Sequence, residues 1–303
     1  ENAMEGRSPP SIPSFIKPIN PTNEEDDEEQ EAIEEIVLEE PPPTATRPRR
    51  NTFSFWGTRE KEQLAKRTEF DEKIAKEDMN KYVQALIDAS EGWESYGWEF
   101  VGEERGVTIT RTSFANSTVK CIKGVSVIKA SPKEVFDVVS NIALYKEFDP
   151  KTIADSKVIH TINSQLSTNY MEFAAQFPVS GRDTCFIQYR TRHDGGSYIV
   201  AWNSVKDPEM PKRKGIVRAM MANSGFVISP LQNNSLVTFV LQFDLKGWIP
   251  STIMNQMIAT QPMILALIED YIYAKASGAS VNNDNNNNVN ANVDSQSKQS
   301  KIL

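Results

Sequence analysis

Histidine and cysteine are scarce in this chain of 303 residues, which has two of each. Metal sites are usually built from clusters of these residues, and the sequence has neither such a cluster nor an HExxH pattern. We therefore expect no metal ion and no cofactor. Cys121 and Cys185 each lie in a strand-like apolar run. This placement predicts two buried thiols in a reducing compartment, and not a disulfide.

Long apolar runs and enzyme motifs are missing as well. No run of eighteen apolar residues occurs, so the sequence predicts no membrane-spanning helix. The first residues lack a basic stretch followed by an apolar run, and we therefore expect no secretory signal. The sequence also has no GxSxG turn and no glycine loop of the kind that binds phosphate. We expect a protein that is not an enzyme, located in the cytoplasm and only transiently at membrane surfaces.

The negative charge is concentrated at one end of the chain. The net charge is −8, but residues 1–40 contain 13 acidic and 2 basic residues, which leaves the remainder at +3. A body so close to neutral is not typical of proteins that bind nucleic acid. We therefore expect no nucleic-acid partner.

Composition divides the chain into four parts. We predict a disordered, acidic and proline-rich arm over 1–57, a charged helical linker over 58–77, a folded body over 78–275 and an asparagine-rich disordered tail over 276–303. The acidic run 24–40 has two interpretations. It is either a solvating tail or a helical peptide bound by a basic protein partner, with apolar anchors at Ile33, Ile36 and Val37.

The body combines many short strands with a few helices, which predicts an α+β fold. Helical patterns occur at 78–91 and 131–139, and a long amphipathic helix begins at Pro250 and reaches Tyr273. Pro262 falls inside that helix and predicts a kink near Ile258. Runs rich in valine, isoleucine, threonine and aromatic residues predict strands at 99–102, 107–112, 119–128, 158–162, 166–173, 184–192, 198–205, 215–228 and 236–244. This order suggests a curved antiparallel sheet around the C-terminal helix.

Four short segments carry a family resemblance. They read SPKEVF at 131–136, PVSGRD at 178–183, GIVRA at 215–219 and DLKGWIP at 244–250. Each is weak alone, but all four occur in order over about two hundred residues. Residues 78–275 thus resemble a StAR-related lipid transfer (START) domain, a helix-grip or Bet v 1-like fold.

The resemblance implies one lipid held in a cavity between the sheet and the C-terminal helix. The implied pocket residues are Tyr145, Asp149, Asn169, Met171, Gln188, Trp202, Arg218, Met254, Met257, Ile258, Gln261, Leu265 and Ile268. The implied gate consists of Phe177, Pro178, Arg182, Asp183 and Pro262. For Arg182 and Asp183 we favour an ion pair that fixes the gate loop over direct contact with the ligand.

Two departures from the family pattern bear on the ligand. Sterol-binding members have a buried acidic and basic pair, and Asn169 and Gln188 stand at those positions here. Phosphatidylcholine-binding members have an arginine that contacts the lipid phosphate, and Tyr145 stands in its place, although Asp149 of the same motif is kept. The loss of an arginine removes a bidentate phosphate donor. The ligand class therefore stays open among sterol, phospholipid, ceramide and diacylglycerol.

We expect the protein to bind a single lipid and to transfer it between intracellular membranes. The alternative is a lipid-sensing regulatory or scaffold domain that acts through a partner of the acidic arm. The basic residues Lys206, Lys212, Arg213 and Lys214 form either a solvated loop or a surface for anionic lipid headgroups.

Overall fold

The computed structural model describes residues 53–91, 97–113 and 120–278. The acidic run 24–40, with its predicted partner, and the tail from residue 279 lie outside the described residues. Within the described part, no helix is both long and apolar enough to cross a membrane.

Six helices and ten strands make up the described part of the chain. The helices are α1 (Phe53–Ala75), α2 (Asn80–Glu91), α3 (Pro132–Ser140), α4 (Tyr145–Phe148), α5 (Ser251–Ala259) and α6 (Ile264–Ala276). The strands are β1 (Glu99–Glu104), β2 (Val107–Ser113), β3 (Lys120–Ile128), β4 (Ile153–Thr161), β5 (Leu166–Phe173), β6 (Arg182–Arg192), β7 (Tyr198–Ser204), β8 (Val217–Arg218), β9 (Met220–Leu231) and β10 (Asn234–Asp244).

The strands form one sheet in the order β1-β2-β3-β10-β9-β7-β6-β5-β4. Every neighbouring pair in that order is antiparallel, and the short β8 pairs in parallel with β6. The predicted antiparallel sheet is therefore confirmed, with two corrections. The single strand predicted at 215–228 is two strands, and β4 begins at Ile153, five residues before its predicted start.

The two faces of the sheet carry different layers. Because side chains alternate along a strand, Phe186 and Ile187 point to opposite faces. The inner face, defined by Phe186, Trp202 and Phe239, packs against α3, α5 and α6 in the largest apolar cluster. The outer face, defined by Ile187 and Ile199, is covered by α1 and α2.

Helix α3 begins as the sequence predicts. The Ser131 hydroxyl accepts a hydrogen bond from the Glu134 amide, and the Glu134 carboxylate accepts one from the Ser131 amide. This capping box satisfies two backbone N–H groups that the first turn of a helix leaves without partners. Val135 and Val139 are buried on the inner face, so α3 closes one end of the core.

Helix α2 covers the outer face above a buried lysine. The Lys123 ammonium lies 4.5 Å from the centre of the Trp98 ring and donates to the carbonyl oxygen of Ala89 near the end of α2. Burial lowers the pKa of Lys123 to about 8. A carbonyl at a helix C-terminus is a favourable partner for a cation, which explains how this strand position holds a lysine.

Helix α1 docks on the outer face through a buried arginine. One nitrogen of Arg67 lies 2.9 Å from both carboxylate oxygens of Asp207, and another donates to the Thr168 hydroxyl at 2.7 Å. Ile74, next to the last residue of the helix, adds an apolar contact with Leu166 and its neighbours. Helix α1 has few apolar residues on its inward face. The buried pair of Arg67 and Asp207 adds to their contact, and α1 packs against the sheet.

The C-terminal helix is interrupted at the predicted place. Helix α5 ends at Ala259, residues Gln261–Met263 form one turn of 3-10 helix, and α6 follows. Pro262 is buried against Gly124 in the middle of β3. A Cβ atom added at Gly124 would lie 2.6 Å from the Cβ of Pro262, closer than such atoms approach. The turn that interrupts the helix at Pro262 therefore packs directly against the backbone of β3.

Candidate lipid-binding site

A small cavity lies between α5 and the adjacent ends of β5, β6 and β10. Its volume is about 40 Å³, and it is lined by Thr152, Phe173, Ala174, Gln176, Arg182, Phe243, Leu245, Met257, Thr260 and Gln261. One water molecule needs roughly 10–15 Å³ on this measure. The cavity thus has room for a few waters, and a lipid would enter only if the surrounding elements separated.

Three of the residues that the family resemblance implies line this cavity, namely Arg182, Met257 and Gln261. The Gln261 side chain donates to the Met257 carbonyl at 3.0 Å, so it stabilises the end of α5. The remaining lining residues were missed. Phe173 and Phe243, whose rings lie 5.5 Å apart, could have been found from the alternation along β5 and β10, because both strands are predicted.

Arg182 connects two loops at the mouth of the cavity. Its guanidinium donates to the carbonyl oxygens of Ser180, Leu245 and Lys246, and no carboxylate pairs with it in the described part of the chain. Burial lowers the pKa of Arg182. The predicted ion pair between Arg182 and Asp183 is therefore wrong. Adjacent residues of a strand point to opposite faces, which keeps these two side chains apart.

Asp183 pairs instead with Arg218 on the outer face. The two contacts are 2.6 and 3.1 Å, and the same guanidinium donates to the carbonyl oxygens of Met210 and Pro211. Burial opposes the charge of Arg218, but the hydrogen bonds and the charge of Asp183 leave its pKa raised. The predicted role of Arg218 in the pocket needs correction, since it fixes the loop before β8 and the sheet separates it from the cavity.

Asn169, Gln188 and Trp202 form an uncharged polar strip within the inner core. The Trp202 indole donates to the Gln188 side chain at 2.9 Å, and the Gln188 amide donates to the Ser140 carbonyl at 2.7 Å. The Asn169 amide donates to the Ser167 carbonyl at 3.2 Å. All three residues are buried. A buried polar group is costly without a partner, and here the partners are supplied by the protein itself.

Tyr145 and Asp149 form hydrogen bonds that stabilise the segment between α3 and β4. The Tyr145 hydroxyl donates to the Val139 carbonyl at 2.8 Å, and its ring packs edge-on against Trp202 at 5.8 Å. The Asp149 carboxylate accepts from the Thr152 amide at 3.2 Å. Burial raises the pKa of both side chains, and the hydrogen bond from Thr152 partly opposes this for Asp149. Neither residue is among those that line the cavity.

The remaining implied pocket residues lie either in the inner core or in α5. Met171, Leu265 and Ile268 are buried in the inner core, while Met254 is half-buried against it. The side chain of Ile258 lies outside the described part of the structure. The core around Trp202 is thus filled by protein side chains, and the cavity described above lies towards α5.

The implied gate residues Phe177 and Pro178 lie in the loop between β5 and β6. Phe177 is fully exposed and Pro178 is exposed. On the other side of the mouth, Trp248 is 86% exposed in the segment that leads into α5.

The sheet packed against a C-terminal helix, with a cavity beneath α5, defines a fold of the helix-grip type. The sequence model of the START domain matches residues 74–266, which is more than half of the chain. The chain therefore belongs to the START domain family.

Curated relatives match only part of their own length. A "Protein ENHANCED DISEASE RESISTANCE 2-like" from Arabidopsis thaliana is 28% identical over 140 residues, or 44% of this chain and 20% of that protein. The mitochondrial steroidogenic acute regulatory protein of Danio rerio is 30% identical over 129 residues, or 41% of this chain and 44% of that protein. This chain thus spans less than half of either relative.

Solved structures agree with the fold. Human StAR-related lipid transfer protein 5 superposes with a TM-score of 0.60 at 17% identity, covering 65% of this chain and 95% of that one. Human STARD10 gives a TM-score of 0.59 at 20% identity, covering 67% and 82%. At these identities the likeness establishes the architecture and leaves the ligand open.

Proposed function

We propose that this protein binds one lipid between the sheet and the C-terminal helix and transfers it between membranes. The observation that carries the proposal is the cavity beneath α5, the half of the helix that the turn at Pro262 separates from α6. Such a transfer protein needs a closed state that shields the lipid and an open state that admits it.

Helix α5 is the element that we expect to open. Its described side chains Ile253, Met254 and Met257 are only partly buried, and a methionine side chain adapts readily to irregular apolar ligands. Gln261 and Pro262 mark a natural point for bending, since proline lacks the N–H that would continue the helix. Movement of α5 would enlarge the 40 Å³ cavity and widen its mouth between the two loops.

The chemistry of the lining favours a weakly polar ligand. Arg182 is the charged residue among those that line the cavity, and its donors are already directed at backbone carbonyls. A phosphate would have to displace those contacts, whereas a single hydroxyl or amide could bond to Thr152, Gln176 or Gln261. We therefore favour sterol, ceramide or diacylglycerol over phospholipid.

The proposal is tested by native mass spectrometry of the protein purified from a lipid-rich eukaryotic host, followed by extraction of the bound lipid. We expect one lipid per chain, and transfer of that lipid between vesicles. A protein that binds no member of a broad lipid panel, and moves none between vesicles, contradicts the proposal.

A cavity-filling variant sharpens this test. Met257→Trp places a large ring in the cavity and should reduce both occupancy and transfer by about tenfold or more, because overfilled sites exclude ligand. Met220→Trp is the matched control, since Met220 is exposed at the start of β9. Equal occupancy in the two variants would locate the lipid elsewhere.

A further inference from the structure

Helix α1 is attached to the outer face of the sheet by few contacts. Residues 60–66 are all exposed, and the described contacts with the body lie in the C-terminal half of the helix, at Arg67, Asp71 and Ile74. Arg67 and Asp207 form the buried ion pair of this contact, with side chains 6% and 0% exposed. An element held by so few groups detaches at a lower free-energy cost than a core strand.

Detachment of α1 would leave the carboxylate of Asp207 buried without its cation. Asp207 belongs to the loop between β7 and β8, residues 205–216. A buried carboxylate without a paired cation is strongly disfavoured. The Glu209 amide donates to the same carboxylate at 2.9 Å, but a neutral donor does not balance its charge. If α1 leaves, Asp207 therefore has to turn towards water, and the loop has to move with it.

The same loop is fixed further along by Arg218. The guanidinium of Arg218 donates to the carbonyl oxygens of Met210 and Pro211 at 3.1 and 3.4 Å, and it pairs with Asp183 of β6. The Met210 amide donates to the Asp207 carbonyl at 3.2 Å, so the turn that holds Asp207 also presents the first of these acceptors. A loop that moves at Asp207 thus takes acceptors away from Arg218.

Strand β8 continues this loop to the cavity mouth. The Val217 amide donates to the Gly181 carbonyl at 3.0 Å, and Val217 pairs with Arg182, which lines the cavity. Val217 also packs beside the segment that leads into α5. Its methyl carbons would lie 3.8 and 3.9 Å from a Cβ atom added at Gly247. Contacts of hydrogen-bond or van der Waals length therefore connect α1 to both sides of the mouth.

We propose that Arg67 and Asp207 are positioning residues for the cavity mouth. While α1 is docked, their ion pair keeps the loop and β8 in place, and when α1 detaches, the mouth and the entry to α5 loosen. This rests on the proposed function, because it names the element that controls access to the cavity. Coupling between distant sites requires an element with two states, and docked and detached α1 supply them.

The test is hydrogen–deuterium exchange of the full chain with Arg67→Met, which removes the charge and keeps a long unbranched side chain. We expect the amides of 179–183 and 244–250 to exchange about tenfold faster, a size typical of coupled sites, while the amides of β3 and β10 keep their protection. Lys66→Met is the matched control, because Lys66 is the neighbouring residue of α1 and pairs only with Glu62 at side-chain exposures of 65% and 64%. It should exchange like the unchanged protein.

A second substitution separates the buried charge from a general loss of packing. Asp207→Leu added to Arg67→Met removes both charges, and the mouth should then exchange within about twofold of the unchanged protein, since apolar replacement of a buried pair is often neutral. Should Arg67→Met not fold, Arg67→Lys keeps the charge without the planar fork and should give a rise of about threefold. A rise that extends equally to β3 and β10 would overturn the proposal, as would a double variant that stays as fast as Arg67→Met.

Lipid exchange separates this proposal from the one on which it rests. With phosphatidylcholine vesicles that contain a fluorescent ceramide or sterol, Arg67→Met should take up and release the probe about fivefold faster than the unchanged protein. A mouth that loosens in a chain that binds no lipid would contradict the proposed function and leave the coupling intact. A lipid-bound chain whose mouth and exchange rate do not respond to Arg67→Met would contradict the coupling alone.

Discussion

Helices α5 and α6 are adjacent in sequence and lie on the same face of the sheet, but they are held in different ways. Leu265 and Ile268 of α6 are completely buried, and Tyr271 is nearly so. Of the α5 side chains that the structure describes, none is fully buried. Since most helix stability in proteins comes from packing an apolar face, α6 belongs to the core and α5 behaves as a covering element.

Polar contacts reinforce the same difference. Arg105, in the β1–β2 turn, lies 2.6 Å from Asp270, and the Glu269 carboxylate accepts from the Lys129 amide at 3.3 Å. The Tyr271 hydroxyl donates to Glu147 at 3.2 Å. These bonds connect α6 to three separate parts of the chain. The break at Pro262 therefore separates a half that is packed into the core from a half that covers it.

The largest expected effect is the loss of a core side chain from α6. Leu265→Ala removes a completely buried side chain and should lower the free energy of unfolding by about 2–5 kcal/mol, through lost burial and the cavity left behind. Met254→Ala in α5 should cost less than about 2 kcal/mol, because its side chain is already partly in water. Urea denaturation of both variants measures the difference. Equal losses would show that α5 is as much a part of the core as α6.

The contact beneath the helix break should give the next largest effect. Gly124→Ala introduces a Cβ that would lie 2.6 Å from the Cβ of Pro262, and it should cost about 1–3 kcal/mol. Gly102→Ala, in edge strand β1, is the matched control because nothing lies within 4 Å of the added atom. Thermal unfolding of the pair provides the measurement. If the two variants melt together, Pro262 is not pressed against β3 in solution.

The smallest effect should come from the surface of α6. Asp270→Ala breaks an ion pair whose two side chains are nearly half exposed, and it should cost only about 0.2–1 kcal/mol. The cost should shrink in high salt, since exposed pairs are screened. Chemical denaturation at two salt concentrations tests this. A loss comparable to that of Leu265→Ala would mean that the turn between β1 and β2 holds α6 in place more than the core does.

Local signals explain what could be predicted from the sequence. The cap of α3 depends on Ser131 and Glu134, which are three residues apart, and the helix break depends on Pro262 alone. Strand runs such as β2 are visible because valine and isoleucine alternate with threonine within a few positions. The first half of β4 lacks that alternation, which explains why its start was missed.

The contacts that could not be predicted join residues far apart in sequence. Arg67 meets Asp207 across 140 positions, and Asp183 meets Arg218 across 35. Nothing near Asp183 indicates that its partner is not the neighbouring arginine. In the same way, the sequence around Gly124 does not indicate that Pro262 packs against it. The side chains that line the cavity depend on such long-range packing, so the list implied by the family included only three of them.

The contact between Gly124 and Pro262 has a consequence for how the helix can bend. A glycine has no side-chain torsions, and the backbone of β3 is held on both sides by hydrogen-bonded neighbours β2 and β10. The proline ring is itself rigid. The point of contact therefore has almost no internal degree of freedom. A helix that bends there changes its direction about a stationary pivot, so the tip of α5 describes an arc while the register of α6 against the sheet stays the same.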